Sequence, residues 1–145
     1  MIRPKIAIHT DIIAEYLIHH GTHPPALRIA MMKFFCYTTV FNAIELFAQA
    51  SNERERDAVA AAMGAMKILG LNAKQAISYG SWFAANAKVK PLSMLVAGIC
   101  LESKLPILTS DAGAFRGIKG LRVIRASALN EDSAAEQILV EGITR

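Results

Sequence analysis

Hydrophobic positions along the chain switch repeatedly between strand-like and helix-like spacing. Pro4–His9 (PKIAIH) reads as a first strand, and after Thr10 and Asp11 apolar residues recur near i, i+3 and i+4 through Ile18, which predicts a helix. Pro24 and Pro25 fix the start of a second helix over Ala26–Lys33, because proline suits a first turn. Phe34–Thr38 (FFCYT) is rich in aromatic and β-favouring residues and reads as a second strand. In the following TTVFNAIELFAQA, Val40, Phe41, Ile44, Phe47 and Ala48 form an apolar helical face, with Asn42, Glu45 and Gln49 on a polar stripe. Asn52 with Glu55 signals another helix start, running through Met63. Lys67–Leu71 is a candidate third strand, and Asn72 with Gln75 opens a helix over Ala73–Ala87 anchored by Trp82 and Phe83.

The stretch Pro91–Ile124 is the most informative. Leu92–Ser103 is an apolar helix, Leu105–Thr109 a strand with no polar alternation, and Leu121–Ile124 a last strand. Pro106 suits only a strand opening, and an uninterrupted apolar run is expected of a strand covered on both faces. Asn130–Glu141 adds an acidic helix. The order predicts one α/β domain over residues 1–145, core about 4–125. It should have three layers, α/β/α, around a five-stranded parallel sheet with right-handed crossovers.

Candidate chemistry sits at strand ends. Asp111 lies just past the carboxyl end of its strand, where open α/β sheets place their sites. Asp11 is a first-turn acid favoured by the helix dipole, and Glu45 lies about a turn beyond the second strand. His19, His20 and His23 look like a metal cluster, but adjacent histidines face different ways and Gly21 stops the helix between them. Cys36 and Cys100 lack ligand-like spacing and read as reduced core residues. A mean hydropathy of +0.32 points to an apolar surface used for partners. No uncharged run is long enough for a membrane span, and MIRPKIAIHTD is too short and polar for a signal peptide, so a cytoplasmic protein is expected. The net charge of +4 permits a nucleic-acid partner. Arg116, Lys119, Arg122 and Arg125 follow Asp111, and Lys88 and Lys90 precede Ser93.

Together these motifs resemble a PIN domain of the VapC-toxin kind over roughly Ile6–Ile124. Two family signatures are present: a Thr…Glu helix after strand two, as Thr39 to Glu45-Leu46, and the ending Thr109-Ser110-Asp111, Phe115, Ile118-Lys119-Gly120-Leu121-Arg122-Val123. Two depart. The family's Asp-Thr-Asn/Asp stands here as His9-Thr10-Asp11, and its Asp-x-Leu-Ile-Ala-Ala as Ser93-Met94-Leu95-Val96-Ala97-Gly98. His9 and Ser93 therefore replace two of the family's four acids.

The resemblance implies a metal-dependent endoribonuclease that holds Mg²⁺ or Mn²⁺ with clustered carboxylates. Carried onto this chain, it names Asp11, Glu45 and Asp111 as catalytic candidates and, with His9, as metal ligands. Thr10, Thr39 and Thr109 would line the site, and Lys90, Arg116 and Lys119 would position phosphates. It also implies a homodimer and a small antitoxin-like partner. Losing two carboxylates removes hard oxygen ligands and puts a softer nitrogen at strand one. Two readings follow: a PIN-domain protein with reduced or lost catalysis that binds RNA or a partner, with no metal of its own, and an active Mg²⁺- or Mn²⁺-dependent endoribonuclease using a variant acid/His site.

Overall fold

The computed structural model describes residues 3–130, so the helix expected over Asn130–Glu141 lies outside the described residues. Five parallel strands form one sheet: β1 (Lys5–Ile8), β2 (Phe35–Thr39), β3 (Lys67–Leu69), β4 (Ile107–Thr109) and β5 (Val123–Arg125), in the order β3-β2-β1-β4-β5. Between them run α1 (Thr10–Ile18), α2 (Ala26–Lys33), α3 (Val40–Gln49), α4 (Glu53–Gly64), α5 (Ala76–Ala85) and α6 (Pro91–Ser103). The predicted architecture holds. Strand ends move by a residue or two: β2 starts at Phe35, β3 stops at Leu69, β4 starts at Ile107, and β5 runs through Arg125. The helix expected over Ala73–Ala87 divides into a 3-10 turn at Ala73–Gln75 and α5.

Successive residues of a strand face opposite ways, and the core follows that rule. Ile6 and Ile8 of β1 and Leu108 of β4 pack with Ile12, Ile13, Leu27, Phe34, Leu46 and Met63 on one face. Ala7 and Ile107 pack on the other with Met94, Val96, Ala97, Cys100 and Phe115. Trp82 and Phe83 are only half-buried against that second cluster, and Tyr79 is the fully packed residue of α5. Gly98 makes room for it, since a Cβ there would fall within the Tyr79 ring. Gly120 has φ +86, a left-handed conformation that favours glycine.

The chain order creates the functional position. From β1 the sheet grows through β2 and β3 to one side and through β4 and β5 to the other. The crevice beyond the carboxyl ends of β1 and β4 is thus a topological switch point, the usual ligand position of an open α/β sheet. His9 follows β1 there, and its backbone N–H donates to the Leu108 carbonyl at 3.0 Å.

One expectation is overturned. On α3 the residue at the polar stripe's start, Asn42, is fully buried, whereas Val40, Ile44 and Phe47 of the expected core face are exposed. Only Phe41 of that face's aromatic pair packs against the second core cluster. The helix turns its amide inward because polar partners wait there.

Candidate functional site

Asn42 is the centre of the site's hydrogen bonding. Thr39 ends β2 and caps α3: the Asn42 backbone N–H donates to Thr39 Oγ1 at 3.2 Å, and the Thr39 backbone N–H donates to Asn42 Oδ1 at 3.2 Å. Thr39 Oγ1 also donates to Asn42 Oδ1 at 2.7 Å. From its other end, Asn42 Nδ2 donates to Thr10 Oγ1 at 2.8 Å and lies 3.2 Å from His9 Nδ1. One amide thereby ties the end of β2 to the turn after β1. Thr38 Oγ1 adds a bond to the Ile8 carbonyl at 2.9 Å. Sequence reading did not single out Asn42; its signal was the capping-box spacing of a threonine and an amide three residues later.

Asp11 has a second task. Its Oδ2 accepts from Thr109 Oγ1 and from the Ser110 backbone N–H, each at 2.8 Å, and the Asp111 N–H donates to Thr109 Oγ1 at 3.0 Å. The first-turn acid of α1 therefore orders the turn after β4, 98 residues away, and fixes the backbone that carries Asp111. Its Oδ1 is buried without a hydrogen-bond partner among the described residues.

His9 feels the charge of three acids. Its ring stacks edge-on against Phe115 with centroids 4.9 Å apart. Burial pushes the imidazole below its ordinary value of 6.5, and the charges of Asp11, Glu45 and Asp111 pull it partly back. The folded protein thus holds this proton less tightly than the unfolded chain does. Its contribution to stability is complete above about pH 6.5 and is lost as pH falls through the folded-state value. Between about pH 7 and about pH 5, the thermal midpoint of the wild type is expected to drop further than that of His9→Gln. Equal drops would mean that His9 does not titrate in a perturbed environment.

Ser93 and Asp111 share a cleft of about 560 Å³ with Lys88, Lys90 and Arg116. Ser93 is buried in the first turn of α6, while Lys90, Asp111 and Arg116 are exposed. Lys119 is exposed and does not line this cleft. Of the candidates, the structure brings His9, Thr10 and Thr39 into one bonded set through Asn42, and Asp11 and Thr109 into a second at the turn after β4. Glu45 and Asp111 act on His9 through charge, and Ser93, Lys90 and Arg116 gather beside Asp111.

The residues do not fit a divalent cation as arranged. Among the described residues no group of three or more His, Cys, Asp or Glu side chains is placed to hold a metal ion. Asp11 Oδ2 already accepts twice, and His9 Nδ1 faces the Asn42 amide. Nor is there a thiol nucleophile, since burial pushes Cys36 and Cys100 up to about 12. No helix among the described residues is long and apolar enough to cross a membrane.

No family model matches this chain, and no curated protein does. Solved structures do match. DNA-bound VapBC from Salmonella typhimurium aligns with TM-score 0.70 at 19% identity, covering 85% of this chain and 98% of that one. FitAcB from Neisseria gonorrhoeae gives 0.64 at 16% identity, covering 84% and 98%. A toxin–antitoxin complex from Klebsiella pneumoniae gives 0.63 at 14% identity, covering 81% and 95%. The chain has the fold of VapC-type PIN-domain toxins.

Proposed function

We propose that this protein is the PIN-fold partner of a toxin–antitoxin-like pair, and that its cleft binds RNA with catalysis reduced or lost. The observation that carries this reading is the composition of the cleft. Positions that resemble the family's four acids hold His9, Glu45, Ser93 and Asp111, and Lys88, Lys90 and Arg116 line the same cleft as Ser93 and Asp111. Four carboxylates repel a phosphodiester unless a cation neutralises them. In the cleft that Ser93 lines, a single carboxylate, Asp111, beside three cations lets the backbone enter with neither Mg²⁺ nor Mn²⁺.

Fluorescence anisotropy with single-stranded RNA in EDTA tests it. Three phosphate contacts predict a slope of about −2 in log affinity against log salt. Replacing Lys88, Lys90 and Arg116 with alanine should flatten that slope and weaken binding at low salt. Undiminished binding by the triple variant would remove this cleft as the RNA site.

The protein partner has its own observation. Val40, Ile44 and Phe47 are exposed at i, i+4 and i+7 of α3, an apolar stripe suited to a partner helix. We assign it to a small antitoxin-like protein or to a second copy of this chain. Light scattering separates them: a dimer of the isolated chain gives the stripe to the copy, a monomer leaves it to the antitoxin.

The alternative, an active Mg²⁺- or Mn²⁺-dependent endoribonuclease, is favoured by the fact that Asp11, Glu45 and Asp111 all act on His9. It predicts RNA cleavage that EDTA and Glu45→Gln both abolish.

A further inference from the structure

His9 stands where the resemblance places a metal-binding acid, so which of its ring nitrogens carries the proton decides what the end of β1 can bind. The hydrogen-bond network fixes it in three steps. A backbone N–H can only donate, and the Thr39 N–H points at Asn42 Oδ1. The amide therefore cannot flip, because a flip would set its NH₂ against that N–H. With Oδ1 held by Thr39, Nδ2 must face Thr10 and His9, and Nδ2 can only donate. Thr10 Oγ1 accepts one of its hydrogens and His9 Nδ1 the other. A neutral imidazole that accepts at Nδ1 carries its proton at Nε2.

We propose that Asn42 is a positioning residue that holds His9 in its Nε2–H tautomer, so that the outer ring nitrogen is a hydrogen-bond donor and not a ligand for a metal. Nε2 has no hydrogen-bond partner among the described residues and is not among the buried atoms left unpartnered, so it meets solvent. Coordination through Nε2 requires the proton to move to Nδ1, where it would collide with the Asn42 NH₂. The fully buried position of Asn42, bonded at both ends, leaves the amide no room to turn away. The site thus selects for an acceptor atom at the end of β1, such as a carboxylate or phosphodiester oxygen, and against a cation. The assignment concerns the ring alone and stands whether or not the cleft takes RNA.

Two measurements test it. Long-range ¹H–¹⁵N correlation spectra of the neutral wild-type protein should show a protonated Nε2 and an unprotonated Nδ1 for His9. The opposite pattern would overturn the assignment outright. In Asn42→Asp, one carboxylate oxygen still accepts from Thr39, while the other offers His9 Nδ1 an acceptor in place of a donor. The tautomer should invert and Nε2 should gain a free lone pair. Calorimetric titration with Zn²⁺ alone is then expected to show affinity at least tenfold above wild type, lost again when His9→Ala is added. Zn²⁺ binding in the wild type that His9→Ala abolishes would contradict the proposal, as would an inverted tautomer without any gain. Should Asn42→Asp fail to fold, the wild-type spectrum and the wild-type Zn²⁺ titration still decide.

Discussion

Restoring the two missing carboxylates, in His9→Asp combined with Ser93→Asp, is expected to raise Mg²⁺-dependent RNA cleavage by about two orders of magnitude or more. Each change returns a hard oxygen donor and a negative charge to the metal's own ligand set, where even changes to the groups behind the ligands alter metal affinity or activity by about 10–100-fold. The structure accepts both. Asn42 Nδ2 donates toward residue 9, so an aspartate oxygen can take over the bond that His9 Nδ1 now receives. Ser93 lies in the first turn of α6, where the helix dipole favours a carboxylate, and Lys90 lines the same cleft. The single variants should fall well short of the double, because ligands of one metal act as a unit. A folded double variant with no gain would mean that more than the acids has been lost. Equal activity in wild type and double variant would mean that His9 and Ser93 are no handicap.

Asn42→Ala is expected to destabilise the fold by about 3 kcal/mol. The side chain is fully buried and bonds to Thr39, Thr10 and His9, so truncation strands the Thr39 N–H and leaves a void. A buried donor left unsatisfied costs about 1–3 kcal/mol, and the cavity adds to that. Urea unfolding should show a lower midpoint at an unchanged m-value. A loss below about 1 kcal/mol would mean that water replaces the amide and that the network described above is not rigid.

Much of this fold was legible because its central strands are covered on both faces. Ile6–Ile8 and Ile107–Leu108 leave no polar alternation to misread, and the prolines before Ala26 set the start of α2. Helix α3 was oriented wrongly for a physical reason. Periodicity ranks residues by hydrophobicity, so it places Val40, Ile44 and Phe47 inside and Asn42 outside. The folded chain reverses this, since Thr39, Thr10 and His9, brought together from two strand ends, satisfy a buried amide that no local pattern can price. Asp11 is similar: its position in a first turn was plain, but its bonds to Thr109 and Ser110 span most of the chain. Tyr79 reached the core ahead of Trp82 because Gly98, on another helix, leaves its ring a place. Glu45 and Asp111 were visible from their places just past strand ends, and His9 and Ser93 only through the resemblance to the PIN family.

RNA binding and cleavage by the wild-type protein, followed on the same labelled single strand in EDTA, in Mg²⁺ and in Mn²⁺, tests the proposed function most directly. Binding of equal strength in all three, with little or no product, is the expected result. Cleavage that appears with Mg²⁺ or Mn²⁺ and disappears with EDTA and in Glu45→Gln would contradict it and establish an active nuclease built on the remaining acids.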